Sequence, residues 1–256
     1  MEQKKAFGKL RSFLSRAKEA SEEEGLRYVI HMGIRKTRNY LVNSLWFYYY
    51  KMLKSRRTFA FRGDAYRYFY HRYNTTWRNE RTVEIPIILE MLNKSKAKSI
   101  LEVGNVLSNY SPVRHDIVDK YEKAEGVINR DIIDFHPSKK YDLIISISTL
   151  EHVGWDEDIS DHKILYDPSK ILQAIENLRG LLAPQGNIVI TLPLGLNPEL
   201  DRLLRNGKVQ FTELFCLKRV SKDNAWVEVD WQEAQTLRYN DPFPAANGLV
   251  IGIIKK

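Results

Sequence analysis

Ser99-Ile100-Leu101-Glu102-Val103-Gly104 is a short apolar run that ends on a glycine, and Tyr141-Asp142-Leu143-Ile144-Ile145-Ser146-Ile147 is a second run of the same kind. Short runs rich in branched apolar residues favour buried parallel strands. Because the carboxyl ends of neighbouring parallel strands share one crevice in an α/β sheet, we expect a ligand site there.

The motifs around these runs resemble those of the class I S-adenosylmethionine-dependent methyltransferases, over roughly residues 83–256. They are Glu102-x-Gly104, a strand that ends on Asp119, and the second run followed by Leu150-Glu151-His152. The resemblance implies an α/β, Rossmann-like sheet of seven mostly parallel strands with an antiparallel C-terminal strand, preceded by an N-terminal helical appendage. It also implies S-adenosyl-L-methionine as the cofactor.

The glycine loop of this chain departs from the family pattern. The family continues Glu-x-Gly with further glycines at alternate positions, whereas here the chain continues Asn105-Val106-Leu107-Ser108-Asn109-Tyr110. The helix after the first strand must therefore be short. A remodelled or lost cofactor site is the alternative interpretation.

Further apolar runs predict the remaining elements of the sheet domain. Strands are predicted at 115–119, 126–132, 186–193, 211–220 and 248–254, and helices at 83–92 and 172–182. By the resemblance, the last two strands form an antiparallel hairpin.

The net charge of +8 is unevenly distributed along the 256 residues. Residues 1–82 carry 19 Lys and Arg against 7 Asp and Glu, a net charge of +12, whereas residues 83–256 carry 21 against 25, a net charge of −4. The first 82 residues also hold 17 of the 29 aromatic residues. We therefore predict a basic, aromatic-rich helical region at 1–82, which could act as a lid, and a methyltransferase-like domain at 83–256.

The N-terminal residues 4–57 have the apolar spacing of two helices, interrupted at Glu22-Glu23-Glu24-Gly25. The second helix carries aromatic residues between clusters of Lys and Arg, as is typical of a helix in the interface of an anionic membrane. Membrane binding through residues 1–57 is therefore one interpretation. The others are packing on the main domain or on a second copy in a homodimer, and RNA binding, which we rank last.

Cysteine content and hydropathy indicate in which cellular compartment we expect the protein. The lone Cys216 cannot form a disulfide within the chain, and no Cys/His group has metal-ligand spacing, so we expect a reducing, cytoplasmic location and no metal. We see no signal-peptide core and no run of about 18 apolar residues that would span a bilayer. Membrane binding by residues 1–57 would make the protein peripheral at the inner membrane face.

The acidic segment 155–158 with Asp161-His162 is a candidate site for a metal or a hydroxyl-rich ligand. A solvated loop is the plainer interpretation.

Candidate cofactor contacts lie at the predicted strand ends. Gly104, which lacks a Cβ, lets the chain turn sharply against a ligand, and the carboxylate of Asp119 can accept both ribose hydroxyls. The resemblance places Glu102 at the family's first acidic position and pairs Asp131 with the adenine amino group. The predicted cofactor-binding residues are Glu102, Gly104, Asn105, Asp119, Lys120, Tyr121, Asp131, Ile132 and Ser148.

Glu151 and His152 are the candidate catalytic residues. A histidine with a pKa near neutrality can take a proton from a hydroxyl acceptor as the methyl group is transferred, and Glu151 would support it. A structural hydrogen-bonding role for His152 is the alternative interpretation.

Candidate acceptor contacts come from three segments. Family members often close an N-terminal lid over the cofactor, so the polar and aromatic segment before residue 83 is a candidate for lid or acceptor contacts. The alternative is that this segment packs on the sheet. The predicted substrate-binding residues are Tyr73, Asn74, Trp77, Arg81, Trp155 and Asn197.

The leading functional hypothesis is therefore an S-adenosylmethionine-dependent methyltransferase that O-methylates a sugar or glycan, a lipid-linked molecule or another small molecule. RNA methylation is a second hypothesis, because a basic region with interleaved aromatic residues suits phosphates and stacked bases. A third is a non-catalytic binding or scaffold protein that retains the fold, which the missing glycines motivate.

Overall fold

The computed structural model describes residues 26–158 and 163–256. The chain divides into two compact units, Met1–Leu53 and Lys54–Lys256. We predicted the division after residue 82, whereas residues 54–82 belong to the same unit as the sheet. The first predicted helix and the interruption at 22–25 lie outside the described residues.

The described part of the first unit is one helix, α1 (Leu26–Leu53), which contains the predicted aromatic segment. Within residues 26–158 and 163–256, no helix has the length and apolarity needed to cross a membrane.

The second unit is built on a central sheet of eight strands. In chain order they are β3 (Ile100–Val103), β4 (Asp116–Asp119), β5 (Val127–Asn129), β6 (Tyr141–Ile147), β9 (Leu182–Pro193), β10 (Glu213–Arg219), β11 (Trp226–Val229) and β12 (Gly248–Lys255). The spatial order is β11-β10-β12-β9-β6-β3-β4-β5. Strands β3, β4, β5, β6 and β9 run parallel, and β12 pairs antiparallel with both β9 and β10.

This arrangement confirms the predicted α/β fold with its antiparallel C-terminal strand. The prediction of seven strands was one short, since β11 adds an antiparallel edge strand beside β10. The predicted strand at 141–147 has the observed bounds of β6, because its uninterrupted apolar run is buried on both faces.

Alternate residues of the strands pack on opposite faces of the sheet. Ile144 packs with helix α3 (Ser169–Leu181), whose buried face includes Leu178. Leu143 and Ile145 pack on the other face, among buried residues of helix α2 (Arg81–Lys94). The sheet is thus covered on both sides, and its carboxyl edge is left for the site.

Two hairpins and two short helices complete the described chain. Strands β1 (Thr58–Phe61) and β2 (Asp64–Arg67) form an antiparallel pair joined by Arg62-Gly63, both with positive φ, as a type I′ turn requires. Strands β7 (Trp155–Asp158) and β8 (Lys163–Tyr166) pair after the loop that follows β6. The helices are α4 (Pro198–Arg205) and α5 (Trp231–Ala234).

Candidate active site

A cavity of about 560 Å³ lies at the carboxyl ends of β3 and β4, between the segment after β5 and the loop after β6. The chain proceeds in opposite directions across the sheet from β3 and β6, and ligands bind at such switch points of α/β sheets. The volume is in the range of small-molecule sites, about 300–1,000 Å³. Nine predicted residues line it, namely Gly104, Asn105, Asp119, Lys120, Tyr121, Asp131, Ile132, His152 and Trp155.

Gly104 is the point of closest backbone approach in this cavity. Its φ of +83° is a conformation that residues with a Cβ rarely adopt, and a Cβ there would lie 2.3 Å from Thr149 Oγ1. Both the turn and the contact with the neighbouring loop therefore require glycine at this position.

Asp119 organises the backbone around the cavity. Its Oδ1 accepts from the amides of Tyr121 and Glu122, both at 2.8 Å, and its Oδ2 accepts from the amide of Asn105 at 3.1 Å. A carboxylate offers about four lone-pair positions, so three amides leave room for about one further donor. We predicted that Asp119 accepts two ribose hydroxyls, and this count favours one.

Asp131 closes the far side of the cavity. Its Oδ2 lies 2.9 Å from Lys120 Nζ, and its Oδ1 accepts from the amide of Ile133 at the start of a short helical turn. Ile132, in that turn, is buried and lines the cavity. The side chains form a slot that is polar on one wall and apolar on the other.

Glu102 lies beneath the cavity and does not line it. The side chain is fully buried, and Oε1 accepts from the amides of Val106 and Leu107 at 2.9 and 2.8 Å. Its Oε2 lies 2.7 Å from His115 Nε2. Glu102 was predicted to contact the cofactor, but the structure gives it the task of holding the loop after β3.

Asn105 lines the cavity, and its side-chain oxygen, carbonyl oxygen and backbone amide all have partners within the protein. Its Oδ1 accepts from the hydroxyl of Ser108, and its carbonyl accepts from Asn109 Nδ2 at 3.0 Å. The predicted short helix after the first strand is a single turn at Leu107–Asn109. These side-chain contacts hold the loop after β3, which lacks the further glycines of the family pattern.

His152 lies on the loop after β6 and borders the cavity, with a side chain that is 61% exposed. Partial desolvation, with a smaller contribution from Arg81, lowers the pKa of His152 below its ordinary value of 6.5. The imidazole is therefore neutral at pH 7 and able to accept a proton.

Glu151, the other predicted catalytic residue, is buried and does not line the cavity. Its Oε1 is 3.7 Å from His152 Nε2, too long for a hydrogen bond, and its Oε2 has no hydrogen-bond partner among the described residues. Burial raises the pKa of Glu151 well above its ordinary value of 4.5. Burial therefore favours the protonated form of Glu151, and the carboxyl makes no hydrogen bond to His152.

A buried polar cluster connects helix α2 to the loop after β6. Arg81 donates to Glu84 at 2.9 Å and to the carbonyl of Ile147 at 3.2 Å. Oε1 of Glu84 accepts from the hydroxyls of Ser148 and Thr191. Ser148, predicted to bind cofactor, is instead buried in this cluster with a φ of +38°.

The predicted lid segment, Tyr73–Arg78, lies just before α2 and contains a kink at Asn74 and Thr75, both with positive φ. Trp77 is buried, whereas Tyr73 is half exposed with its ring 5.5 Å from that of Tyr110. The carbonyl of Asn74 accepts from Asn79 Nδ2. The structure does not bring Tyr73, Asn74, Trp77 or Arg81 to the 560 Å³ cavity.

The two remaining predicted acceptor contacts differ. Trp155 lines the cavity at the base of the β7–β8 hairpin, with its ring 5.7 Å from that of Tyr166. Asn197 is buried, where its Oδ1 caps helix α4 by accepting from the amides of Glu199 and Leu200. Asn197 was predicted to bind substrate, but burial and capping place it in the framework.

Several cavity residues were missed by the sequence analysis. Thr149 and Gly154 flank His152, and Arg130 follows β5 at the same edge. The signal was present for Thr149 and Gly154, which follow the predicted strand at 141–147. Arg130 lies inside the predicted strand at 126–132, whereas the observed β5 ends at Asn129. The other missed lining residues are apolar, namely Val103, Val106, Val118 and Val153.

Within residues 26–158 and 163–256, no cluster of three His, Cys, Asp or Glu is placed to bind a metal ion. Of the acidic segment considered above, Asp161 and His162 lie outside the described residues. The lone Cys216 is buried, which raises the pKa of its thiol to about 12.

The strand order and the mixed direction of the sheet decide the fold assignment. The chain has a Rossmann-like α/β fold with a mostly parallel sheet and an antiparallel C-terminal strand. The parallel strands, the antiparallel C-terminal strand and the cavity at the switch point are the arrangement that the resemblance in sequence implied.

Comparisons with known proteins find similarity that is distant in both sequence and structure. No family model and no curated protein matches the chain. Among solved structures, it is similar to the N-methyltransferase NodS from Bradyrhizobium japonicum WM9, crystallised with S-adenosyl-L-homocysteine, at 15% identity over 69% of this chain and 87% of that one, with a TM-score of 0.42. It is also similar to a SAM-dependent methyltransferase from Archaeoglobus fulgidus, at 15% identity over 72% of this chain and 98% of that one, with a TM-score of 0.44.

Proposed function

We propose that this chain is an S-adenosylmethionine-dependent methyltransferase that methylates a hydroxyl group of a sugar or another small molecule. The observation that carries the proposal is the composition of one cavity. Its lining includes two carboxylates, Asp119 and Asp131, and an imidazole, His152, whose lowered pKa keeps it neutral at pH 7.

The cavity residues suit the cofactor. Asp119 retains room for a hydroxyl donor, and Asp131 can accept from an amino group beside its contact with Lys120. Val118 and Ile132 give an apolar surface for a flat ring. S-adenosylmethionine, when bound, supplies a methyl group that is already activated on a sulfonium sulfur.

The remaining work of the protein is to position the acceptor and take its proton. A hydroxyl group has a pKa far above neutrality, so a nearby base lowers the barrier to its attack. His152 is the group at the rim of the cavity that can accept this proton, because its lowered pKa keeps it neutral at pH 7. The exposed position of His152 gives the proton a path to solvent.

Cofactor binding is the first test. Calorimetric titration with S-adenosylmethionine and S-adenosylhomocysteine should give micromolar binding to the wild type. Asp119→Asn should bind about 10- to 100-fold more weakly, because a hydrogen bond to a charged group contributes about 1.5–3 kcal/mol.

Asp134→Asn is the matched control for this titration. Asp134 is exposed, lies near the end of β5 and does not line the cavity, so its loss should leave binding unchanged. Thermal melting of each variant separates weakened binding from unfolding. Absence of binding to folded wild type would favour the non-catalytic scaffold.

Proton removal is the second test. His152→Gln retains a polar side chain but cannot act as a base at neutral pH. We expect kcat on hydroxyl acceptors to fall by about 10²–10⁴, with cofactor affinity unchanged. An unchanged kcat would give His152 a structural role and remove the proposed base.

A further inference from the structure

We propose that helix α1 is an interfacial helix that docks the protein on an anionic lipid surface. This inference concerns the first compact unit and does not depend on the proposed methyl transfer.

The charge of α1 is entirely of one sign. Its 28 residues contain no Asp or Glu and five basic residues, Arg27, Arg35, Lys36, Arg38 and Lys51. The helix therefore has no acidic side chain of its own to neutralise these cations. An anionic surface is its electrostatic complement.

One side of α1 exposes four large apolar side chains, with the exposed Arg38 on the same side. Ile34, Leu41, Leu45 and Met52 are 64, 57, 71 and 75% exposed. Their spacings of 7, 4 and 7 residues place them on one side of a helix with 3.6 residues per turn. A side that is this apolar and this exposed marks an interaction surface.

Aromatic residues border this face. Trp46, Tyr48 and Tyr49 are 44, 51 and 37% exposed, and the rings of Trp46 and Tyr49 contact each other edge to face at 5.5 Å. Amphipathic rings are favoured at the headgroup level of a bilayer, where one end is apolar and the other is wet. Their position beside the apolar face suits a helix that lies in the plane of the interface.

The charges decide between a membrane and a second copy of the chain. A seam through Ile34, Leu41 and Tyr48 has the seven-residue repeat of a coiled coil. Two copies joined there would bring together cations from both helices, and α1 has no carboxylate to pair with them. An anionic lipid surface binds the same apolar face without that repulsion.

Vesicle co-sedimentation of the full-length protein tests the proposal. We expect binding to phosphatidylcholine vesicles that contain phosphatidylserine, little binding to pure phosphatidylcholine, and weaker binding as salt is raised. Arg35→Gln/Arg38→Gln/Lys51→Gln should lower the partition coefficient about a hundredfold, since each basic residue near an anionic surface contributes on the order of fivefold. Leu41→Gln/Leu45→Gln should also lower it, although the charge is unchanged.

Lys96→Gln/Lys123→Gln/Lys208→Gln is the matched control. It removes the same charge from exposed positions in the sheet unit and should leave vesicle binding within about twofold of the wild type. Circular dichroism and the cofactor titration establish that each variant is folded.

Four outcomes would overturn the proposal. Failure of the full chain to bind anionic vesicles removes it. An equal loss in the control triple variant means that total charge, rather than α1, drives binding. If Leu41→Gln/Leu45→Gln converts a dimer into a monomer in sedimentation velocity without changing vesicle binding, the face belongs to a second copy. If the α1 triple variant loses affinity for RNA but not for vesicles, the cations bind nucleic acid instead.

Discussion

The loops that follow β3 and β6 meet at the same cavity, and each contains a residue with positive φ and has a buried glutamate within or beside it. In the β3 loop the positive φ belongs to Gly104, and both oxygens of Glu102 have partners. In the β6 loop it belongs to Ser148, and one oxygen of Glu151 has no partner among the described residues.

The difference shows two ways to build one site. The β3 loop has satisfied hydrogen bonds and an unstrained backbone, as a preorganised cofactor platform requires. The β6 loop carries a strained serine and a buried acid, Glu151, with a raised pKa and one oxygen that has no hydrogen-bond partner among the described residues. Strain and unpaired buried groups concentrate at functional sites, so the two loops should respond differently to substitution and to pH.

The largest effect is expected at Glu102. Glu102→Ala should lower the free energy of unfolding by about 3–5 kcal/mol, because it leaves His115 and two loop amides without their buried partner. Urea denaturation followed by circular dichroism measures this. Glu125→Ala, at an exposed position, is the control and should change stability by less than about 0.5 kcal/mol. A similar small loss at Glu102 would mean that the β3 loop does not depend on its carboxylate.

Gly104→Ala should lower the free energy of unfolding by about 3 kcal/mol, because of backbone strain at φ +83° and a clash with Thr149. The two causes separate in a double variant. Gly104→Ala/Thr149→Ala removes the clash and should recover about 1 kcal/mol or more, measured as a coupling energy in a double-mutant cycle. Strict additivity of the two substitutions would show that backbone strain alone requires glycine.

The sequence predicted the platform better than the loop opposite it. Gly104 and Asp119 follow from one rule, that residues closing parallel strands meet at one edge, whereas Asp131 came from the family resemblance. The same rule could not separate Asp119 from Glu102, because it ignores the alternation of side chains along a strand. Glu102 lies within β3 and Asp119 ends β4, and only Asp119 borders the cavity.

Other errors had readable signals. Asn197 precedes Pro198, a pattern typical of a helix N-cap followed by proline, yet it was assigned to substrate. The β1–β2 hairpin has alternating Phe59 and Phe61 before Arg62-Gly63. By contrast, the contact of Glu84 with Ser148 joins residues 64 positions apart, and no local pattern predicts it.

The pH dependence of stability should distinguish the β6 loop from the β3 loop. A carboxyl whose pKa is raised on folding binds its proton more tightly in the folded state, so its stabilising contribution is complete below pH 4.5 and is lost as the pH rises through the folded pKa. Because of Glu151, the free energy of unfolding of the wild type should therefore fall by up to about 1.4 kcal/mol per pH unit above pH 4.5. Glu151→Gln lacks this slope, and urea denaturation from pH 4 to 8 measures the difference.

Glu125→Gln is the control for this series, and its profile should parallel that of the wild type. Glu80 and Asp201 also have raised pKa values, but they remain in every variant and drop out of the comparison to first order. Parallel profiles for wild type and Glu151→Gln would mean that Glu151 titrates normally. The two loops would then differ in backbone strain but not in electrostatics.

The smallest effect tests the strain at Ser148. Ser148→Ala keeps the φ of +38° and loses the hydroxyl contact with Glu84, whereas Ser148→Gly loses the same contact and relieves the strain. The glycine variant should therefore be more stable than the alanine variant by about 1 kcal/mol, by urea denaturation. At Gln173, an exposed helical position, the same pair should show the opposite order by about 1 kcal/mol, because glycine disfavours a helix. If alanine is also the more stable residue at 148, the loop holds no strain, and its preference for serine lies in the contact with Glu84 alone.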